Sequence, residues 1–262
     1  MEEFFIALQF LTRIKIVRQT VWTEENFGKS VKFFPAVGAV LGIFYALIIF
    51  ALIFFTQEKF SIFIGAAGFS LMIILTGGIH CDGLMDSADG LFSGRDKEKI
   101  LEIMKDSRAG SFGVVSLVLI SALQISAIAE LAKISTVLIC AAIFSAPIIG
   151  RLAMVFVIKK FPYARPQGIG KAFSVFATEK IFYFAVVETI LFLLPTIFFG
   201  EKIFLTAIIS LIAAIIFSAR FGKFSTEKIG GVTGDIYGAV EIISETLTLI
   251  IFLLAGSYSR LL

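Results

Sequence analysis

Seven stretches of this chain are apolar and almost free of charge, and a bilayer is the solvent that suits them. A hydrocarbon core of roughly 30 Å takes about 20 residues of helix to cross. The runs fall near residues 34–55, 60–78, 112–131, 135–157, 181–199, 203–219 and 237–255, the second and sixth being the shortest. The charges inside them are Arg151, Glu188, Glu241 and Glu245, with Glu130 at the very end of the third. The expected fold is therefore all-α, a polytopic membrane helix bundle of about seven transmembrane helices. No long polar linker interrupts it, so one domain over residues 1–262 is expected. A mean hydropathy of +0.97 agrees, since a soluble domain of this size needs more polar surface.

Seven crossings put alternate loops on opposite sides, and the basic residues divide unevenly between them. Eighteen lysines and arginines, Arg18 among them, fall on the side of the N-terminus, against Lys59, Lys133, Lys202 and Arg260 on the other. Positive loops mark the cytoplasmic face. The N-terminus and the loops 79–111, 158–180 and 220–236 are thus expected in the cytoplasm, beneath the cell membrane. Residues 1–20, with Phe4, Phe5, Leu8 and Leu11, read as a short interfacial helix too polar to span, with packing against the bundle as the alternative. The start Met1-Glu2-Glu3 has no basic leader, so a cleaved signal peptide is not expected. Cys81 and Cys140 form no metal-binding or disulfide pattern.

The stretch from Thr76 to Gly113, TGGIHCDGLMDSADGLFSGRDKEKILEIMKDSRAGSFG, concentrates the chemistry. Asp82, Asp86 and Asp89 are spaced four and three apart, within about 60° on one face of a helix. Three carboxylates on one face repel one another, and an oxygen-loving divalent cation, Mg²⁺ or Mn²⁺, gives them a reason to converge. Asp96 is placed to cap a second helix over Lys97–Asp106. Arg95, Lys105 and Arg108 stand nearby, and a cation beside arginine and backbone amides suits a diphosphate. His80, the sole histidine, precedes Asp82 and is a candidate for substrate contact or proton transfer. The loop FPYARPQGIGKAF carries Arg165 and Lys171 and suits an anion-binding lid or a plain connector; GGVTGD ends in Asp235. Glu241 and Glu245, one turn apart in the last run, either complete the polar site or pair with Arg151 or lysines.

These residues resemble the cobalamin synthase family, adenosylcobinamide-GDP ribazoletransferase. The resemblance is strongest in GGIHCDGLMDSADGLFSGRDKEKILEIMKDSRAGSFG and recurs at FFPAVGAVLG (33–42), YARPQGIGKAF (163–173) and GGVTGDIYGAVEIISE (230–245). It implies a membrane-embedded, Mg²⁺-dependent phosphoryl transfer from adenosylcobinamide-GDP to α-ribazole or its 5′-phosphate, with GMP released. On that reading Asp82, Asp86 and Asp89 hold the metal, with Asp235 as a further ligand. Asp89 and Asp106 are candidates for the proton acceptor. Arg108, with Arg95 and Lys105, would offset charge on the leaving group. His80, Arg95, Lys105, Arg151, Arg165, Asp235 and Glu241 form the expected substrate-binding set. The expected partners are these two substrates and membrane lipid, without nucleic acid; a homo-oligomer stays an open alternative. Two other readings compete: a phosphotransferase of the CDP-alcohol type, and an ion-coupled transporter using Arg151, Glu188, Glu241 and Glu245.

Overall fold

The structure, a computed structural model, describes residues 2–17, 23–56 and 59–259. Arg18 and Arg260, which entered the charge comparison, lie outside the described residues. The chain is an all-α bundle; among the described residues the only extended pairing is one bridge between Tyr163 and Val232. The helices run α1 Glu2–Leu11, α2 Glu24–Lys29, α3 Phe34–Thr56, α4 Ser61–Thr76, α5 Ile79–Leu91, α6 Lys97–Ile103, α7 Ser111–Ile134, α8 Thr136–Lys160, α9 Ile169–Phe176, α10 Glu179–Leu193, α11 Glu201–Ile229 and α12 Gly234–Ser259.

Among the described residues six helical stretches are long and apolar enough to cross a membrane: Glu24–Thr56, Ser111–Ile134, Thr136–Lys160, Glu179–Phe199, Glu201–Ile229 and Gly234–Ser257. A seventh is reached if α4 and α5 count as one span, but the two meet at 93°. The cause is local. Gly77 and Gly78 both take left-handed backbone, φ 69° and 76°, which costs a glycine little and other residues much. Two in succession stop α4 at 16 residues, about 24 Å of helix, and turn the chain sideways into the aspartate helix.

Two expectations shift. The sixth run, expected to end at 219, continues as α11 to Ile229 and stops only at Gly230, φ 80°, so the third loop shrinks to residues 230–233. The N-terminal helix occupies residues 2–11, and its apolar face packs on protein. Ile6, Ala7, Leu8 and Leu11 are buried against the bundle, and Glu3 pairs with Lys32 at 2.5 Å.

α8 runs through the centre, packed by α3, α7, α10, α11 and α12. Small residues permit the closest approaches, as is usual between helices in lipid. Gly38 and Gly42 of α3 lie against the Pro147 and Phe144 carbonyls of α8. At the end of the bundle that carries the motif, α5 crosses the start of α12, and Gly83 meets Gly238 there. A Cβ on Gly83 would sit 2.7 Å from the Asp235 carbonyl oxygen and 3.1 Å from the Gly238 Cα. Ala favours helix by about 1 kcal/mol over Gly. Backbone cannot yield as a side chain does, so the clash decides the sign. Gly83→Ala is expected to destabilise by about 1–3 kcal/mol, read as a lower thermal midpoint in detergent. An unchanged or higher midpoint would show that α5 does not press on α12.

Candidate active site

Three pieces of chain carry the polar wall of one cavity at the motif end: the first half of α5, the loop after α8 and the start of α12. The two loops are clasped by backbone. Ala164 N–H donates to the Val232 carbonyl and Val232 N–H to the Pro162 carbonyl, each at 2.8 Å. That clasp brings Arg165 to Asp235 at 2.8 Å across 70 residues of sequence. Thr233 fixes the same carboxylate: its hydroxyl donates to Asp235 Oδ2 at 3.1 Å and accepts from Ile236 N–H at 3.4 Å. The cavity enclosed measures about 280 Å³, and its polar wall is His80, Asp82, Tyr163, Arg165 and Asp235. Phe10 and Phe173 close the apolar end.

The aspartate helix forms as expected, but its three carboxylates do different things. Asp82 is exposed in the cavity, and its carboxylate has no hydrogen-bond or ion-pair partner among the described residues. Asp86 is half-buried and feels the Asp82 and Asp235 carboxylates, with the Arg165 guanidinium as the opposing charge. Three carboxylates against one guanidinium leave an excess of negative charge, and their hard oxygens fit Mg²⁺. Among the described residues no three His, Cys, Asp or Glu side chains close on a single point as a ready cage.

Asp89 points elsewhere. Its Oδ2 accepts from Gly110 N–H at 2.7 Å and its Oδ1 from Gly113 N–H at 2.8 Å. It thus caps the first turn of α7, where unpaired N–H groups and the helix dipole favour a carboxylate. A Cβ on Gly113 would sit 3.1 Å from the Asp89 Cγ and 3.0 Å from the Met85 carbonyl, so the two helices meet without side-chain clearance. Asp89 thus has a structural role that the sequence did not show, each of its oxygens accepting one backbone N–H from the start of α7. Asp89→Asn turns one of these bonds into a donor facing a donor. It is expected to lower stability by about 1–2 kcal/mol while the folded fraction still turns over. Abolished turnover at an unchanged thermal midpoint would restore Asp89 to the chemistry.

Beneath the cavity lies a second polar cluster. Arg151 of α8 and Glu241 and Glu245 of α12 are each 1% exposed, and Arg151 Nη1 donates to both glutamates. Arg151 Nη2 stands 3.3 Å from His80 Nε2. An arginine only donates, so His80 Nε2 accepts and its proton sits on Nδ1, 3.7 Å from Glu241 Oε2. The free space beside the cluster is about 10 Å³, no more than one water needs. Arg151 and Glu241 therefore face each other and not a substrate. His80 does both, lining the cavity and resting on Arg151.

The basic residues after the motif stay outside. Arg108 forks onto Asp106, with Nη2 to Oδ2 at 2.5 Å and Nε to Oδ1 at 2.9 Å. Those bonds, with the Arg108 backbone N–H, hold the Asp106 carboxyl down to about 2, which makes it a weak proton acceptor. Arg95 and Lys105 are exposed, and neither lines the cavity. Asp96 does cap α6, accepting from Lys99 N–H at 3.0 Å. Tyr163 and Thr233 were not singled out from sequence. Thr233 was legible as a hydroxyl two residues before Asp235, a local turn pattern; Tyr163 carried no signal beyond lying in the quoted loop.

Comparison with known proteins fits this geometry. A family model described as cobalamin-5-phosphate synthase matches residues 3–253. A protein of Desulfitobacterium hafniense named adenosylcobinamide-GDP ribazoletransferase is 37% identical over 250 residues, covering 95% of this chain and 96% of its own. Proteins of the same name from Fusobacterium nucleatum and Clostridioides difficile are 35% and 36% identical. They cover 98% and 95% of this chain and 99% and 96% of their own. No solved structure matches at a significant level. With a membrane bundle, an aspartate helix at its mouth and a family match over nearly its whole length, this chain belongs to the cobalamin-5-phosphate synthase family.

Proposed function

We propose that this chain is an adenosylcobinamide-GDP ribazoletransferase, acting late in cobalamin synthesis. It joins the cobinamide phosphoryl group to a ribose hydroxyl of α-ribazole, or of α-ribazole 5′-phosphate, and releases GMP. The product is adenosylcobalamin or its 5′-phosphate. The observation that carries this reading is the cavity where Asp82, Asp235 and Arg165 converge at the mouth of a membrane bundle of this family.

Phosphoryl transfer asks a protein chiefly for positioning and charge neutralisation. Asp82 and Asp86, with Asp235 across the cavity, are the oxygen donors we assign to Mg²⁺. Magnesium is commonly held by one or two carboxylates plus substrate phosphates, so a closed protein cage is not required. When bound, the ion supplies charge neutralisation to the diphosphate. Arg165, oriented by Asp235, meets the same substrate from the loop side, and Tyr163 and Tyr237 pack the wall behind it, their rings 6.4 Å apart. The attacking oxygen forms the new P–O bond as the bond to the GMP oxygen breaks, and the hydroxyl proton passes to solvent. The basic majority at the motif end supports an orientation with that end in the cytoplasm, beneath the cell membrane.

Purified protein in liposomes should release GMP from adenosylcobinamide-GDP only when α-ribazole is present. Chelation with EDTA should stop release and added Mg²⁺ should restore it. Undiminished turnover in EDTA would contradict the metal assignment.

A further inference from the structure

Asp82 stands between two cavities. The first, of about 280 Å³, is bounded by Arg165 and Asp235. The second, of about 610 Å³, opens between the end of α1 and the bend joining α4 to α5, and its lining includes Gln9, Thr12, Arg13, Gly77 and Met85. Phe10, Ile79 and Asp82 belong to both walls. An in-line displacement needs this kind of arrangement, because the nucleophile enters opposite the leaving group.

The two cavities differ in the state of their cations. Arg165 is paired with Asp235. Arg13 is exposed and forms no ion pair among the described residues. Its position is nonetheless fixed. Arg13 N–H donates to the Leu75 carbonyl at 2.7 Å, and the preceding Thr12 hydroxyl donates to the Leu8 carbonyl at 2.6 Å while accepting from Ile14 N–H at 3.0 Å. The guanidinium lies over Gly77, where a Cβ would come within 2.7 Å of Cζ and 2.8 Å of Nη2. A glycine there serves the left-handed turn and the seat of the arginine together.

We infer that Arg13 is a phosphate-binding residue of the donor subsite: the larger cavity takes the guanosine end of the nucleotide-activated substrate, and Arg13 holds the phosphate that departs as GMP. The acceptor then enters from the Arg165 side. An arginine fork suits this task, since it meets two phosphate oxygens at once and a lysine cannot. This inference rests on the transferase reading.

The test compares wild type with Arg13→Ala and Arg13→Lys. GMP binding is measured by equilibrium dialysis with Mg²⁺, and the KM of each substrate is measured separately. Arg13→Ala should weaken GMP binding and raise the donor KM by roughly 10- to 100-fold, as expected for a lost hydrogen bond to a charged group. Arg13→Lys should fall between, and both should leave the α-ribazole KM nearly unchanged. Unaltered GMP binding in both variants, or a rise confined to the α-ribazole KM, overturns the assignment. If the Ala variant fails to fold, the Lys variant decides. Wild type that binds GMP without turning over the corrinoid would sink the transferase reading alone, while the dialysis still reports on Arg13.

Discussion

Replacing Asp82 with Asn is expected to lower turnover by roughly 10²- to 10³-fold, the scale set by removing one preorganised charge-stabilising group at a reacting centre. The protein should stay folded in the membrane. Both halves follow from where Asp82 stands. It is exposed on the wall shared by two cavities and makes no contact that holds helices together, so removing its charge leaves packing untouched. An asparagine of the same shape still presents one oxygen but no longer a full charge to a cation or a phosphorylated substrate. The thermal midpoint in detergent should therefore match wild type within error. The contrast with Asp89→Asn is diagnostic: there stability falls and chemistry survives, because that carboxylate caps α7. Wild-type turnover by Asp82→Asn would remove this residue from the chemistry.

Replacing Arg151 with Ala is expected to do the opposite and strike the fold. Arg151 is the one cation between two buried glutamates, and its loss leaves both carboxylates without a counter-charge inside the bundle. Breaking a buried pair from one side costs about 3–5 kcal/mol. It also strips His80 Nε2 of its donor, so the start of α5 loses its anchor to α8. The expected result is a large drop in thermal midpoint or failure to accumulate in the membrane. The triple variant Arg151→Met, Glu241→Gln, Glu245→Gln removes the charges together. It should recover most of the lost stability, since a buried ion pair replaced as a unit is often near neutral. A triple variant as unstable as Arg151→Ala would show that packing of the arginine stem, and not charge, holds these helices.

What the sequence revealed and what it concealed divide by range. The crossings were legible because hydropathy is a local sum, and the aspartate face because a helical period of 3.6 puts Asp82 and Asp86 on one side. Asp96 as a cap was legible for the same reason: its partner, Lys99 N–H, is three residues away. The shortened second crossing was half visible, since Gly77-Gly78 marks a break, but a pair of glycines does not say how sharply the chain turns. The fate of Asp89 depended on Gly110 and Gly113 arriving from another helix, more than 20 residues on. The Arg165–Asp235 pair joins residues 70 apart, and no local pattern pairs them; Arg151 with Glu241, 90 apart, was legible as an alternative because charges inside apolar runs seek one another. Arg108 finds its partner locally: Asp106, two residues away, holds the exposed guanidinium outside the cavity.

The measurement that bears most directly on the central claim is a product balance. Purified protein in liposomes is given adenosylcobinamide-GDP, α-ribazole and Mg²⁺, and nucleotides and corrinoids are separated and weighed by mass spectrometry. One GMP is expected for each corrinoid joined to ribazole, with a single phosphorus retained in the new diester. Release of GDP, or no nucleotide release from folded protein that instead consumes a CDP-alcohol, would contradict that claim.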